Sequence, residues 1–315
     1  MKKALITGIN GFVGNHLLHH LLENDIEVYG SIKPGSEKRD SGAKELFDVD
    51  ILNSVELSNV IRNISPDYIF HLAALTSPSE SFKAPQETVT SNIIGQINIL
   101  QAVKDNELMN TKTLVVSSAE VYGNVKEEDL PINENCPLSP ISPYAVSKIA
   151  QDFFGLQYYL AHKVQSIRVR PFNHIGPGQS PFFAIPSFAK QIASIERGEQ
   201  EPVIKVGNLQ PKKDFTDVRD VVKAYLLLME KGEVGGIYNI GSGTSYKIED
   251  ILQMLLRFST KEISIEQDES RMRPNETPDF ICDSSKLKNA TGWNPTIPIE
   301  DSLRDTLDYW RNFTN

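Results

Sequence analysis

The chain has 315 residues, which corresponds to one large domain or two moderate ones at ~150 residues per domain. Hydrophobic residues make up 40% and charged residues 23%, a mixture typical of globular proteins. The 32 Lys and Arg residues against 41 Asp and Glu residues leave a formal charge of −9. This balance predicts no nucleic-acid partner and no membrane partner, because both surfaces select basic faces.

Membrane-spanning and disulfide-rich classes are also disfavoured. No apolar run reaches the ~18 residues needed to cross a bilayer, and the apolar stretch at the N-terminus is too short for a signal peptide. Cys136 and Cys282 are far apart and have no CxxC partner. We therefore expect a cytoplasmic protein without a metal site.

The first 171 residues alternate apolar runs with amphipathic stretches. The apolar runs predict strands at 3–8, 26–31, 67–74, 113–118 and 166–171. The amphipathic stretches predict helices at 12–24, near 53–63, near 88–106 and near 143–163. Apolar strands separated by helices predict an α/β fold with a doubly wound parallel sheet, covered by helices on both faces.

The composition and periodicity of the sequence change after Pro171. Residues 173–186 are rich in Gly, Pro, Phe and Asn, and 205–217 show little regular period. A helix is predicted at 216–232, a buried strand at 235–243 and a helix near 246–258. We expect residues 172–315 to form mainly a smaller, discontinuous α/β lobe, with residues near 214–243 returning to the unit formed by residues 1–171.

A glycine-rich turn, TGINGFVG, follows the first predicted strand and opens the first helix. Gly8 permits the tight turn, Gly11 lets the backbone approach a pyrophosphate, and Gly14 lets the helix pack closely on the strand. The helix N-terminus then presents N–H groups to the anion. We expect the cofactor-binding residues of this turn to be Gly8, Asn10, Gly11, Phe12, Val13 and Gly14.

The end of the second strand bears on the choice of dinucleotide. A site for NAD usually has an acid there, bonded to the ribose 2′-hydroxyl, but this strand ends in Ser31-Ile32-Lys33. Ser31 and Lys33 are available for a 2′-phosphate, which favours NADP(H), with NAD(H) as the alternative. Asp50 and Ile51 follow the next short strand, where an acid and an aliphatic residue commonly flank adenine.

Tyr144 and Lys148 begin the long helix near 143–163 and share one face, because they are four residues apart. An ammonium beside a phenol, together with an oxidised nicotinamide, favours the phenolate and makes the tyrosine usable for proton transfer. Ser118 and Glu120 follow the preceding strand. Ser118 could hydrogen-bond a substrate carbonyl, and Glu120 could act as an acid-base group or as an anchor for a substrate hydroxyl.

These motifs together resemble the extended short-chain dehydrogenase/reductase family, whose members modify nucleotide sugars. The resemblance runs nearly end to end through TGINGFVG, HLAA at 71–74, SSAEVYG, YAVSK, DFTDVRD and YNIGSG. It implies a Rossmann domain with a small C-terminal substrate lobe, catalytic roles for Ser118, Tyr144 and Lys148, and a homodimer formed by the helices near 88–106 and 143–163. It also implies further cofactor contacts from Leu72, Ala73, Ala74 and Asn92.

Within the family, Glu120 and the stretches RPFNHIGPGQ and RMRPNE resemble 4,6-dehydratases and 4-keto reductases of GDP-hexoses. The loop after the second strand is short and lacks the Arg-rich insertion of the dehydratases, which favours a reductase. The expected activity is NADPH-dependent reduction of a GDP-4-keto-6-deoxyhexose to a GDP-6-deoxyhexose of the D-rhamnose type. A GDP-mannose 4,6-dehydratase, or another nucleotide-sugar epimerase, dehydratase or decarboxylase, is the alternative, and a non-catalytic NADP sensor is a remote one.

A GDP-sugar substrate requires cations for its diphosphate. Arg273 is a candidate for the diphosphate and Glu276 for a ribose hydroxyl. Pro274 between them argues against the alternative of a helical surface ion pair. Asn173 is expected to hold the diphosphate or the sugar, and Lys190 and Asn208 match motif positions for diphosphate and guanine contacts.

Overall fold

Thirteen strands and eleven helices occur in the computed structural model, which describes residues 1–37, 42–271 and 279–313. The first half contains β1 (Lys3–Thr7), α1 (Phe12–Glu23), β2 (Glu27–Ile32), β3 (Glu45–Asp48), α2 (Ser54–Ile64), β4 (Tyr68–His71), α3 (Pro78–Lys83), α4 (Pro85–Val89), α5 (Gly95–Asp105), β5 (Lys112–Val116), α6 (Pro143–His162) and β6 (Gln165–Pro171). The second half contains β7 (Asn173–Ile175), α7 (Ala184–Glu196), β8 (Val203–Val206), β9 (Lys212–Asp217), α8 (Val218–Lys231), β10 (Ile237–Ile240), β11 (Ser245–Lys247), α9 (Ile248–Arg257), β12 (Ser264–Gln267), β13 (Asp279–Phe280), α10 (Ser285–Thr291) and α11 (Ile299–Asn312). None of the helices in these described ranges is long and apolar enough to cross a membrane.

Seven parallel strands form the central sheet in the order β10-β6-β5-β4-β1-β2-β3. One face packs on α1 and α8, and the other packs on α2, α5 and α6. Because both faces are buried, the strands are apolar almost throughout, as parallel sheets require. The predicted α/β fold with a doubly wound parallel sheet is confirmed.

The second half builds a smaller layer around β9. This strand pairs with β7, β11 and β13, while β8 pairs with β12. Helices α7, α9 and α11 cover a separate core. The sequence showed little regular period at 205–217, yet β9 and the end of β8 lie there. Strand β9 escapes a pattern search because it buries the carboxylates Asp214 and Asp217, which are satisfied by hydrogen bonds.

Three segments of the second half return to the first layer. Strand β10 extends the central sheet beside β6, and α8 packs against α1. Both β10 and α8 lie within residues 214–243, which the sequence predicted to pack with the unit formed by residues 1–171. Leu287 and Trp293 also join the core of the central sheet, which the sequence did not predict. The division of the chain at residue 171 remains a prediction.

A buried ion-pair cluster fastens α6 to the sheet. Asp152 of α6 is fully buried and accepts hydrogen bonds from Arg168 Nη1 at 2.6 Å and from Arg170 Nε at 2.8 Å, both on β6. Arg170 also donates to the hydroxyl of Tyr122 at 3.0 Å, which in turn donates to Asn239 on β10. Buried charges are tolerated only when they are paired in this way, so the cluster restricts α6 to one position on the sheet.

Replacing Asp152 with Asn should destabilise the protein by ~3–5 kcal/mol, because two buried guanidinium groups would lose their counter-charge. The free energy of unfolding in urea would measure the loss. The matched control is Glu80→Gln, which breaks the exposed pair with Lys83 at 2.9 Å and should cost less than ~1 kcal/mol. Equal, small losses in both variants would contradict the structural role of the buried cluster.

Candidate active site

The predicted catalytic residues and most of the predicted cofactor-binding residues lie at or near the carboxyl ends of β1 to β5, next to the N-termini of α1 and α6. Ligands of doubly wound sheets bind at this edge, where successive loops diverge and leave a crevice.

The turn between β1 and α1 fits a pyrophosphate. Gly8 has φ +72°, a left-handed conformation that side chains disfavour. A Cβ on Gly14 would lie 2.4 Å from the carbonyl oxygen of Gly8 and 2.7 Å from that of Ile9, so only glycine allows this close packing. Gly11 is the N-cap of α1 and has no side chain with which to cap it, so it satisfies none of the N–H groups of the first helical turn.

The other residues of the turn are held by neighbouring loops. Asn10 donates from Nδ2 to the carbonyl oxygen of Glu37 at 2.9 Å, which joins the turn to the loop after β2. The Phe12 ring stacks on His174 with centroids 6.0 Å apart and meets His16 edge-on at 5.5 Å. The side chains of Phe12 and Val13 pack inwards, so the predicted cofactor contacts of these two residues would come from their backbone N–H groups.

Ser31 and Lys33 differ in exposure. Ser31 is buried in β2, and its carbonyl oxygen accepts the Gly8 N–H at 3.0 Å. Lys33 is exposed just beyond the strand. Of the two, Lys33 is therefore the group with room to reach a 2′-phosphate.

Asp50 and Ile51 shape the turn after β3. Asp50 Oδ1 accepts the Leu52 N–H at 2.9 Å, so the carboxylate closes the turn. Ile51 packs against Gly95 at the start of α5, where a Cβ would come within 2.6 Å of Ile51 Cδ1.

The loop after β4 contains the predicted contacts Leu72, Ala73 and Ala74, all partly buried. Ala73 donates its N–H to Thr7 Oγ1 at 3.2 Å, beside the glycine turn.

Asn92, in the π-helical turn Thr90–Ile94, is fully buried and holds this loop. Its Oδ1 accepts the Leu75 N–H at 2.8 Å, and its Nδ2 donates to the Leu75 carbonyl at 3.0 Å and to Ser147 Oγ at 2.9 Å. Asn92 thus joins the loop to α6, and it would act on a cofactor through the loop.

The first turn of α6 is capped from several sides. Ser142 is the N-cap and accepts the Ala145 N–H at 3.1 Å, with Pro143 at the first helical position. The Tyr144 N–H donates to Ser81 Oγ of α3 at 3.2 Å. These bonds set the position of Tyr144 relative to β5.

Ser118, Glu120, Tyr144 and Lys148 come together at the end of β5. Ser118 and Glu120 are both close enough to the Tyr144 phenol to act on its ionisation. Lys148 Nζ donates to the carbonyl oxygen of Val116 at 3.0 Å and lies 5.7 Å from the centre of the Tyr144 ring.

Burial controls the protonation of this group. Burial raises the pKa of Tyr144 far above its ordinary value. The nearby Ser118 hydroxyl opposes this rise, and the charge of Glu120 adds to it. Burial also lowers the pKa of Lys148 to about 7. Because its pKa is raised, Tyr144 is a neutral phenol, the form that can donate a proton. The sequence-based prediction that Lys148, together with an oxidised nicotinamide, favours the phenolate remains a prediction.

The predicted substrate contacts are dispersed. Asn173 opens β7, is partly buried and lies beside Phe215 of β9, near the catalytic edge. Lys190 is exposed on α7 and extends its ammonium over Trp310 of α11, 5.4 Å from the ring centre. That contact holds Lys190 against the C-terminal helix.

Asn208 Oδ1 accepts the Gln210 N–H at 3.0 Å and so helps to form the turn before β9. Arg273 and Glu276 lie outside the described residues.

Lys213 is a cation that the sequence reading missed. It is partly buried on β9, with its ammonium 5.0 Å from the centre of the Phe280 ring on β13. Lys213 is a further candidate for the diphosphate, because its strand β9 pairs with β7, where Asn173 lies. The adjacent lysines Lys212 and Lys213 before the DFTD stretch were the available signal.

The parallel sheet, the glycine turn and the Ser118–Tyr144–Lys148 group define an NAD(P)-dependent oxidoreductase of the extended short-chain dehydrogenase/reductase type. The family model described as GDP-mannose 4,6 dehydratase matches residues 5–306, and the chain belongs to this family.

Similar proteins extend over the whole chain. A GDP-6-deoxy-D-mannose reductase of Pseudomonas aeruginosa is 37% identical over 313 residues, covering 99% of this chain and 98% of the relative. A GDP-6-deoxy-D-talose 4-dehydrogenase of Aggregatibacter actinomycetemcomitans is 30% identical, covering 92% and 91%. The solved structure of RMD from Pseudomonas aeruginosa complexed with NADPH is 36% identical and covers 99% of both chains with a TM-score of 0.88. The predicted resemblance is confirmed.

Replacing Lys148 with Met should stabilise the protein below pH 7 by a few kcal/mol, since each unit of pKa shift corresponds to about 1.4 kcal/mol. The pKa of Lys148 falls to about 7 on folding, so the unfolded chain binds more protons between that value and the ordinary lysine value of about 10.4. The free energy of unfolding of the wild-type protein should therefore rise with pH between these two pKa values. The difference in this free energy between the variant and the wild type should become smaller over the same range. Urea unfolding across this pH range would measure it, with the exposed Lys83→Met as control. A gap that is independent of pH would contradict the prediction.

Proposed function

We propose that the protein reduces the 4-keto group of a GDP-4-keto-6-deoxyhexose with NADPH and yields a GDP-6-deoxyhexose of the D-rhamnose type. The observation that carries this proposal is the buried Tyr144 phenol, which has Ser118 and Lys148 beside it at the end of β5. A phenol held protonated by burial is suited to deliver a proton to a carbonyl oxygen. The reductase name of the Pseudomonas relative supports the same direction of reaction.

NADPH supplies the hydride that is transferred to C4 of the sugar. The N–H groups at the start of α1, after Gly11, would bind its pyrophosphate. Lys33 would pair with the 2′-phosphate, and the turn at Asp50 and Ile51 would border the adenine. A similar chain with bound NADPH supports NADP(H), with NAD(H) as the alternative.

The side chains at the end of β5 would orient the substrate carbonyl and supply the proton for the new hydroxyl group. Ser118 would donate a hydrogen bond to the 4-keto oxygen and orient the carbonyl. As C4 accepts the hydride, Tyr144 would transfer its phenolic proton to the developing alkoxide, which becomes the 4-hydroxyl group. The Lys148 ammonium would stabilise the phenolate that remains, and this interaction in turn favours the charged form of the lysine.

The substrate would be held by groups of the second half of the chain. Lys213 and Arg273 are the cations proposed for the diphosphate, Glu276 is proposed for a ribose hydroxyl, and Asn173 is proposed for the sugar or the diphosphate. Asn208 and Lys190 are weaker candidates, because Asn208 closes a local turn and Lys190 lies over Trp310.

Glu120 is the residue that supports an alternative function, a 4,6-dehydratase. A carboxylate beside Tyr144 could remove the C5 proton of GDP-mannose derivatives, as a 4,6-dehydratase requires. The description of the matching family model also supports this alternative. In a reductase the same carboxylate would anchor a substrate hydroxyl. A sensor without catalysis is disfavoured, because Ser118, Tyr144 and Lys148 are all retained and adjacent.

Two assays separate these functions. The protein with NADPH and GDP-4-keto-6-deoxymannose should consume NADPH, and GDP-mannose alone should yield no 4-keto sugar. The reverse pattern would identify a dehydratase, and activity in neither assay would contradict the GDP-sugar assignment. NMR of the product would give the configuration at C4, which distinguishes rhamnose from talose.

Tyr144→Phe should lower kcat by about 10²–10⁴-fold and leave NADPH affinity unchanged, because only the proton donor is lost. Tyr158→Phe is the matched control, since it removes a buried hydroxyl from the same helix away from the site and should retain turnover. A fully active Tyr144→Phe variant would contradict the mechanism.

We also infer that the protein forms a homodimer through α6. Val146, Phe153 and Leu160 recur every seven residues along this helix and are 49%, 51% and 59% exposed. Val89 and Ile94, on the adjacent segments, are also exposed. A continuous apolar stripe of this kind is typical of an interface between proteins. The cytoplasmic location remains a prediction, supported by the two free cysteines.

Phe153→Glu should convert a dimer to a monomer in sedimentation velocity at micromolar concentration, because a charge would enter the apolar interface. Phe182→Glu is the control, since Phe182 is 85% exposed in the loop before α7, away from the stripe, and its replacement should leave the dimer intact. A wild-type protein that sediments as a monomer would refute the assignment.

A further inference from the structure

Four buried polar atoms near the catalytic lysine have no hydrogen-bond partner among the described residues. They are His71 Nε2, Gln96 Oε1, Gln96 Nε2 and Gln151 Oε1. The three residues are 2%, 0% and 1% exposed, so bulk solvent does not reach them. Buried polar groups in folded proteins are almost always hydrogen-bonded, because an unpaired group has lost its water without compensation.

The packing of α5 on α6 indicates where the two glutamines lie. At one end of this contact, Asn92 donates to Ser147 Oγ at 2.9 Å. At the other end, the Tyr158 hydroxyl donates to Gln101 Oε1 at 2.8 Å. Both bonds join the same two helical segments, so residues between them on the facing sides are also adjacent.

Gln96 follows Asn92 by four residues, and Gln151 follows Ser147 by four residues. Residues four apart share a helix face, so both glutamines lie one turn along the same contact. Lys148 precedes Gln151 by three residues and shares its face as well. From this spacing we expect the two amide groups between the helices, about one turn from Lys148.

His71 forms the floor of this region. Leu5 and Ile69, two residues before Thr7 and His71, belong to the core under α5, and side chains two apart in a strand lie on the same face. His71 Nδ1 shares a hydrogen bond with Thr7 Oγ1 at 2.7 Å, which leaves Nε2 to face the helices. Burial and, secondarily, the charge of Lys148 lower the pKa of His71 to about 3, so the ring is neutral.

We propose that His71, Gln96 and Gln151 enclose an internal water-binding site one helical turn beneath Lys148. The three side chains offer neutral donors and acceptors and no net charge, which suits water and not an ion. One or two water molecules can donate to the amide oxygens and accept from the amide nitrogen, and can pair with the imidazole in either tautomer. This site does not depend on the proposed reaction.

A crystal structure of the unmodified protein, at a resolution that reveals ordered water, tests the site directly. We expect at least one water within hydrogen-bond distance of His71 Nε2 and of an amide atom of Gln96 or Gln151. Direct hydrogen bonds among the three side chains, with no water between them, would overturn the proposal.

A substitution pair gives a second test through the sign of a shift in Tm. Gln96→Met should lower Tm, because the bound water would lose its hydrogen bonds to the Gln96 amide and the water-mediated link to His71 would be broken. Gln101→Met is the same change five residues further along α5, at an amide with a known partner, and it calibrates the loss of one satisfied amide. If Gln96→Met instead leaves Tm unchanged or raises it, the Gln96 amide has no partner and the proposal is wrong. If that variant does not fold, the crystal structure decides.

Discussion

The pairing of Asp152 with Arg168 and Arg170 is the interaction on which the arrangement of the catalytic helix depends. These charges are buried between α6 and β6, where each is tolerated only because the others are in place. Any slide or rotation of α6 would separate them, so the helix has one stable position. Tyr144 and Lys148 are carried to the end of β5 by that constraint, although neither contacts the ion pair.

The same burial that positions the catalytic groups also sets their chemistry. Desolvation keeps the Tyr144 phenol neutral and weakens the charged form of Lys148, so the site carries a cost in stability. Ionisable groups whose pKa values are shifted by burial are common in enzyme active sites, although burial of such groups lowers stability. His71, Gln96 and Gln151 are further polar side chains that are buried in the same part of the core.

Local patterns predicted the elements around the cofactor turn well, because β1, α1 and α6 follow apolar periods that survive folding unchanged. Strand β9 was missed, because its buried Asp214 is satisfied by the N–H groups of Ser242, Gly243 and Cys282, which are distant in sequence. Asn92 matched a cofactor motif, yet its amide is used by a loop and by α6. Such partners are invisible until the chain is folded.

The sequence by itself determined the dinucleotide turn and the Tyr144–Lys148 spacing, since glycine geometry and the helical repeat act within a few neighbouring residues. It also determined the family, whose motifs run along most of the chain. Only the tertiary structure decided that the pKa of Tyr144 is raised and that the pKa of Lys148 is lowered. Both properties depend on desolvation, which is produced by strands and helices that are far apart in the chain and meet only on folding.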